Sequence, residues 1–112
     1  IAHVEGGART WLAPSGAAAI ATALLTFTKA GDHILVADTV YQPTRRICDG
    51  PLARFGVETT YYDPTIGAGI AQLMRPNTAL VYTESPGSPR PYRSPSVRTS
   101  CGPSLIPGTS TT

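Results

Sequence analysis

The 112-residue sequence predicts an α/β fold with a mainly parallel sheet and crossover helices. Two observations carry that expectation. The runs His33–Ala37 and Ala79–Thr83 are continuously apolar or β-rich, the pattern of parallel strands covered on both faces. Between such runs lie stretches with apolar residues at helical spacing, each closed by glycine or proline. The resulting order is strand–helix–strand–helix–strand–helix–strand. A chain of this length makes one domain, and a hydrophobic content of 41% supplies its core.

The elements follow in order. Thr10–Ala13 is a short apolar strand ending at Pro14-Ser15-Gly16. From Gly16 the period becomes helical, with Ile20, Leu24 and Phe27 on one face, Ser15 as N-cap, and Lys29 with Gly31 as the stop. His33–Ala37 is a buried strand, and Asp38 to Gln42 is a loop. Pro43 suits the first turn of a second helix that runs to about Phe55 and is capped by Gly56. Val57–Tyr62 alternates as a strand and breaks at Asp63-Pro64. Gly67–Met74 is a short helix closed by Arg75-Pro76-Asn77, and the strand Ala79–Thr83 ends at Glu84-Ser85-Pro86-Gly87.

Charge divides the chain. Residues 1–88 carry six basic and seven acidic side chains, whereas residues 89–112 carry Arg90, Arg93 and Arg98 and no acid. Five of the eleven prolines also fall in residues 89–112, where all periodicity stops. This segment therefore reads as a disordered Pro/Ser/Arg-rich tail, and its abrupt onset is the pattern of a shifted reading frame. As a proline ligand it is poor, because Pro91 and Pro95 lack PxxP spacing. The basic pI of 8.8 thus comes from the tail and does not mark a nucleic-acid binder. Leu12–Phe27 is too short and too interrupted to cross a bilayer, and no secretion signal opens the chain. Opening on Ile1, it reads as a piece of a cytoplasmic protein without its N-terminus. Cys48 and Cys101 form neither a metal-ligand spacing nor a disulfide framework.

Ligands of open α/β sheets bind beyond the carboxyl ends of the strands. By that rule the first candidate is Pro14-Ser15-Gly16-Ala17-Ala18, a small-residue turn into a helix whose open N–H groups suit a phosphate. A plain N-cap explains the same residues. The second is Asp38-Thr39-Val40-Tyr41, with an aromatic ring that would stack on a flat heterocycle or cover the sheet end. The third is Glu84-Ser85-Pro86-Gly87-Ser88. Three loops on one edge make a stronger case than any one of them. Lys29 and His33 are expected as solvated turn residues on the opposite edge, and Arg45 and Arg46 as a helix surface pairing with Asp38 and Asp49. Asp63 suits turn chemistry, and Cys48 a buried apolar position.

Several stretches resemble the cysteine/methionine-metabolism family of pyridoxal-phosphate enzymes. They include Glu5-Gly6-Gly7-Ala8, Leu12 to Ile20, Ala30 to Val36, Thr39 to Arg45, Gly56 to Pro64, Arg75 to Thr78, and Glu84 to Ser88. Gly87-Ser88 is similar to the version found in the branch that cleaves cystathionine, not to the Thr-Asn-Pro of the γ-class enzymes. The resemblance implies that residues 1–88 are part of a type I, aminotransferase-like large domain that binds pyridoxal 5'-phosphate. It implies β-elimination on cystathionine to homocysteine, pyruvate and ammonia, in a homo-oligomer, with the cofactor as electron sink. Carried over by position, Ser15, Gly16 and Ala17 would hold the cofactor phosphate. Tyr41 would stack on the pyridine ring and assist acid/base transfer, and Ser88 would lie near the cofactor hydroxyl and substrate.

The Schiff-base lysine of the family has no counterpart here. The chain's one lysine, Lys29, matches no catalytic motif and follows the far end of the helix that Ser15 caps. The family's acidic partner for the pyridinium nitrogen is also missing after Ser88, so this chain alone is expected to be inactive. Alternative readings are a γ-synthase or γ-lyase of the same family, a non-enzymatic remnant, and a stand-alone phosphate-binding module. The last lacks a Gly-x-Gly fingerprint.

Overall fold

The computed structural model describes residues 1–87. Three parallel strands, β1 (His33–Ala37), β2 (Glu58–Tyr62) and β3 (Thr78–Tyr82), form one sheet in the order β2-β1-β3. The central place of β1 explains its composition. All five of its residues are buried, and both of its edges are hydrogen-bonded to neighbours. Ile34, Leu35 and Val36 have no exposed surface and join Leu24, Val40, Leu52 and Val57 in the core. Side chains of this size each contribute about 1.5–3 kcal/mol when fully buried.

Helix α1 (Gly16–Phe27) begins where Ser15 Oγ accepts the Ala18 N–H at 3.1 Å. Its threonines turn inward on their own backbone: Thr22 Oγ1 donates to the Ala18 carbonyl and Thr26 Oγ1 to the Thr22 carbonyl. That satisfies hydroxyls that would otherwise compete with the helix. Leu24 is buried and Ile20 packs on the core, but Phe27 stays 66% exposed, so the apolar face ends one turn earlier than its spacing suggests. Gly31, with φ +89°, then reverses the chain into β1.

Helix α2 (Gln42–Ile47) packs against α1 and continues through a π-helical turn at Cys48–Leu52. Pro51 accounts for the wide turn. It has no N–H for the Ile47 carbonyl and its ring crowds that carbonyl, so the Ala53 N–H reaches back to the Cys48 carbonyl instead. The helix expected over this stretch is thus present and unbroken through Arg54, with the π turn inside it, and closes at Gly56 with φ +79°.

Two sequence expectations are corrected. Thr10–Ala13 is not a strand: it has no regular structure, and Trp11 and Leu12 are 89% and 86% exposed. The described sheet therefore has three strands where four were expected. Nor is β3 covered on both faces. It is an edge strand of the described sheet with alternating exposure: Ala79 and Val81 share the more exposed face, and Thr78, Leu80 and Tyr82 the other. The short helix before it, Gly67–Leu73, is 3-10 rather than α-helical. Among the described residues no helix is long and apolar enough to cross a membrane. The tail 89–112 and Ser88 lie outside the described residues.

Candidate functional site

Parallel strands deliver all their carboxyl ends to one edge, and a cavity of about 470 Å³ opens there. Its walls come from the ends of all three strands: Ala37 and Thr39 after β1, Tyr62 and Pro64 after β2, and Thr83 to Ser85 with Gly87 after β3. That size lies within the range of small-molecule sites. The loops after β1 and β3 are bound to each other, since Glu84 Oε2 accepts the Tyr41 N–H at 3.2 Å. Behind the wall, Tyr62 donates its hydroxyl to the Tyr82 carbonyl at 3.3 Å. Asp63 serves the turn, taking the N–H and the hydroxyl of Thr65 on Oδ1, and those bonds hold its carboxyl below the usual range.

Tyr41 precedes α2, and its carbonyl accepts the N–H groups of Thr44 and Arg45. Tyr41 is 55% exposed and lines no wall of the cavity. Ser15, Gly16 and Ala17 stand at the start of α1, outside the lining. Ser15 Oγ occupies the Ala18 N–H and its carbonyl the Ala19 N–H, while Gly16 and Ala17 precede the first intrahelical acceptors. Both N–H groups lie at the positive end of a 12-residue helix, and a Cβ at Gly16 would meet nothing within 4 Å, so the side-chain position there is uncrowded. This donor pair suits a phosphate.

Two residues differ from the sequence expectation. Arg45 is not a surface residue but only 6% exposed. Its guanidinium pairs with the Asp38 carboxylate and bonds the Asp38 carbonyl at 3.0 Å, and it lies 3.8 Å from the Tyr61 ring centre. The pairing with Asp38 was anticipated, but its burial under the β1 loop was not. Arg46 is exposed, and Asp49 accepts the Tyr61 hydroxyl at 2.7 Å. Burial, with Asp49 beside it, pushes the Tyr61 phenol up, and burial raises the Cys48 thiol to about 11.

His33 is likewise no solvated turn residue. It is fully buried, with Nδ1 2.8 Å from Thr78 Oγ1 and Nε2 2.9 Å from Thr60 Oγ1, so its ring joins β1 to both neighbours. Thr78 Oγ1 also accepts the Arg75 N–H at 2.8 Å, so one hydroxyl serves both the His33 ring and the turn before β3. Lys29 behaves as expected. Its side chain is 82% exposed and bonded to Asp32 at 2.7 Å, on the edge where β1 begins and the cavity does not lie. Among the described residues no group of three or more His, Cys, Asp or Glu side chains would hold a metal ion.

Residues 1–93 match the family model described as Cys/Met metabolism PLP-dependent enzyme. A Saccharomyces cerevisiae protein assigned as a cystathionine β-lyase is 59% identical over 86 residues, 77% of this chain and 25% of its own. The cystathionine β-lyase of Salmonella typhimurium is 49% identical over 86 residues, 77% of this chain and 22% of its own. Among solved structures, a Campylobacter jejuni protein assigned as an O-acetylhomoserine (thiol)-lyase and solved with N'-pyridoxyl-lysine-5'-monophosphate superposes with a TM-score of 0.70. It is 30% identical, and the match covers 75% of this chain and 20% of that one. The chain thus spans about a quarter of the length of the curated relatives it matches. With the family model covering most of the chain and the parallel sheet superposing on a pyridoxal-phosphate protein, the chain belongs to the Cys/Met metabolism PLP-dependent enzyme family.

Proposed function

We propose that this chain forms the phosphate- and ring-holding part of a pyridoxal-phosphate-dependent carbon–sulfur lyase whose substrate is cystathionine. The observation that carries the reading is the first-turn N–H pair of Gly16 and Ala17, which precede the Ser15 cap bond to Ala18, in a chain 49% to 59% identical to proteins named for that reaction. When bound, the cofactor would supply the electron sink for β-elimination to homocysteine, pyruvate and ammonia. The protein's part is binding and orientation. Gly16 and Ala17 would donate to the phosphate, with Ser15 holding the turn open for it. Tyr41 would present its exposed ring to the pyridine face, and its hydroxyl would move a proton at the substrate. Ser88, the next residue after the Gly87 wall, is the proposed substrate-side contact.

Alone, the chain lacks the amine this chemistry needs. Lys29 extends from the opposite sheet edge, beyond a helix roughly 18 Å long at 1.5 Å per residue. We assign residues 1–88 to the cofactor-binding α/β domain and residues 89–112 to a shifted reading frame. Sequencing the coding DNA tests the latter, and it is wrong if neither other frame after codon 88 restores an apolar, acid-containing continuation.

The functional test is a chimera in which residues 1–88 replace the matching segment of the Salmonella typhimurium β-lyase. Pyruvate release from cystathionine, strongly reduced by Tyr41→Phe, supports the reading. A folded, cofactor-loaded chimera that turns over O-acetylhomoserine and leaves cystathionine intact assigns the chain to the γ-class of the family instead.

A further inference from the structure

Resting on the reading of Tyr41 as the ring-facing residue, we propose that Arg45 is the positioning residue that holds it there. The loop Asp38–Tyr41 is closed by Arg45 at both ends. The side chain binds the first residue twice, through the Asp38 carboxylate and its carbonyl at 3.0 Å, and the Arg45 backbone N–H donates to the carbonyl of the last, Tyr41, at 3.3 Å. Its guanidinium is fixed in turn by the Tyr61 ring 3.8 Å away, and Tyr61 is fixed by its hydroxyl bond to Asp49 at 2.7 Å. One buried cation therefore ties the β1 loop to α2 and β2, while Glu84 Oε2 holds the Tyr41 N–H from the β3 side.

The arrangement needs arginine. A planar fork can serve a carboxylate, a carbonyl and an aromatic face together, whereas an ammonium is a point charge that cannot cover all three. Tyr41 is exposed and its hydrogen bonds among the described residues run through its backbone, so the direction of its ring depends on the backbone beneath it. Loss of the guanidinium leaves the Asp38 carboxylate unpaired and frees the loop without cutting into the β1 core.

The test uses the full chain with Arg45→Met, Arg45→Lys and Asp38→Asn, the last removing the same ion pair from the loop side should Arg45→Met fold poorly. Hydrogen exchange at the Tyr41 amide is expected to rise about tenfold in Arg45→Met and Asp38→Asn and less in Arg45→Lys, with Leu35 and Val36 keeping wild-type rates. Unchanged exchange at Tyr41, or a rise shared equally by Leu35 and Val36, overturns the proposal. Pyridoxal-phosphate affinity is expected to fall about tenfold in Arg45→Met, a loss that shrinks to less than twofold when Tyr41→Ala is already present. Equal losses with and without the Tyr41 ring overturn it as well. If Tyr41→Ala itself leaves affinity untouched, the ring-facing reading of Tyr41 fails, and the exchange rates alone decide whether Arg45 holds the loop.

Discussion

Gly87 lies so close over Thr39 that a Cβ built on it would stand 2.6 Å from the Thr39 Oγ1, 2.8 Å from its Cβ and 3.2 Å from its carbonyl oxygen. The close approach seals the β3 loop against the β1 loop, and both residues line the cavity. Part of the obstacle is backbone, which cannot rotate aside as a long side chain would.

Gly87→Ala is therefore expected to open this wall at a cost of about 1–3 kcal/mol, the usual range for overpacking. Urea unfolding measures the loss. Adding Thr39→Gly removes the two nearest atoms and is expected to recover part of it. An unchanged midpoint in Gly87→Ala would show that the two loops are not in contact in solution.

Ser15→Ala removes the oxygen that accepts the Ala18 N–H and is expected to cost about 1 kcal/mol, whereas Ser15→Gly costs only a few tenths. Thermal unfolding of the pair distinguishes a true cap from a merely small residue. Equal midpoints for Ser15→Ala and wild type contradict it.

The buried His33 gives the fold a pH dependence of definite sign. Burial, reinforced by Arg75, holds its imidazole below the ordinary histidine value of 6.5, with Glu58 opposing. The unfolded chain therefore takes up the proton first. The contribution is fully present above the unfolded value and is lost as pH falls through it towards the folded one. Unfolding free energy is expected to decline between pH 7.5 and pH 5, and the decline in that window is expected to flatten in His33→Gln, which keeps polar partners for Thr60 and Thr78 without titrating. A slope equally steep in His33→Gln would assign it to other groups.

Cys48 is expected to resist alkylation in the folded chain. With its thiol raised to about 11, roughly one molecule in a thousand carries the reactive thiolate at pH 8, and the side chain is buried besides. Peptide mapping after iodoacetamide treatment checks this, with rapid labelling of Cys48 expected only in denaturant.

How far these features could be read from sequence depends on the range of the interaction. The start of α1 was legible because Ser15 caps it through a bond three residues away, and the apolar run His33–Ala37 announced a central strand directly. Thr10–Ala13 looked like a strand because apolar runs resemble strands whether or not a partner pairs with them, and here none of the described strands does. The one-sided burial of β3 was hidden because what covers each face of a strand is set by distant segments that its own residues do not encode. His33 and Arg45 read as surface residues because their partners lie at Thr60, Thr78 and Tyr61, contacts that no local spacing encodes. For the candidate site, the loops after β1 and β3 were anticipated, while Tyr62 and Pro64 completed the wall unannounced. The carboxyl-edge rule that selected those loops applies equally to the end of β2, where Asp63-Pro64 read as turn chemistry instead.

The central claim, that this chain holds a pyridoxal-phosphate cofactor by its phosphate at the start of α1, is tested by titrating the full chain with pyridoxal phosphate and with pyridoxal. Saturable binding of the phosphate form, at least about tenfold tighter than pyridoxal and unaffected by Lys29→Gln, is the predicted result. Equal affinity for the two compounds, or binding abolished by Lys29→Gln, would contradict it, because retention would then depend on the aldehyde meeting an exposed amine.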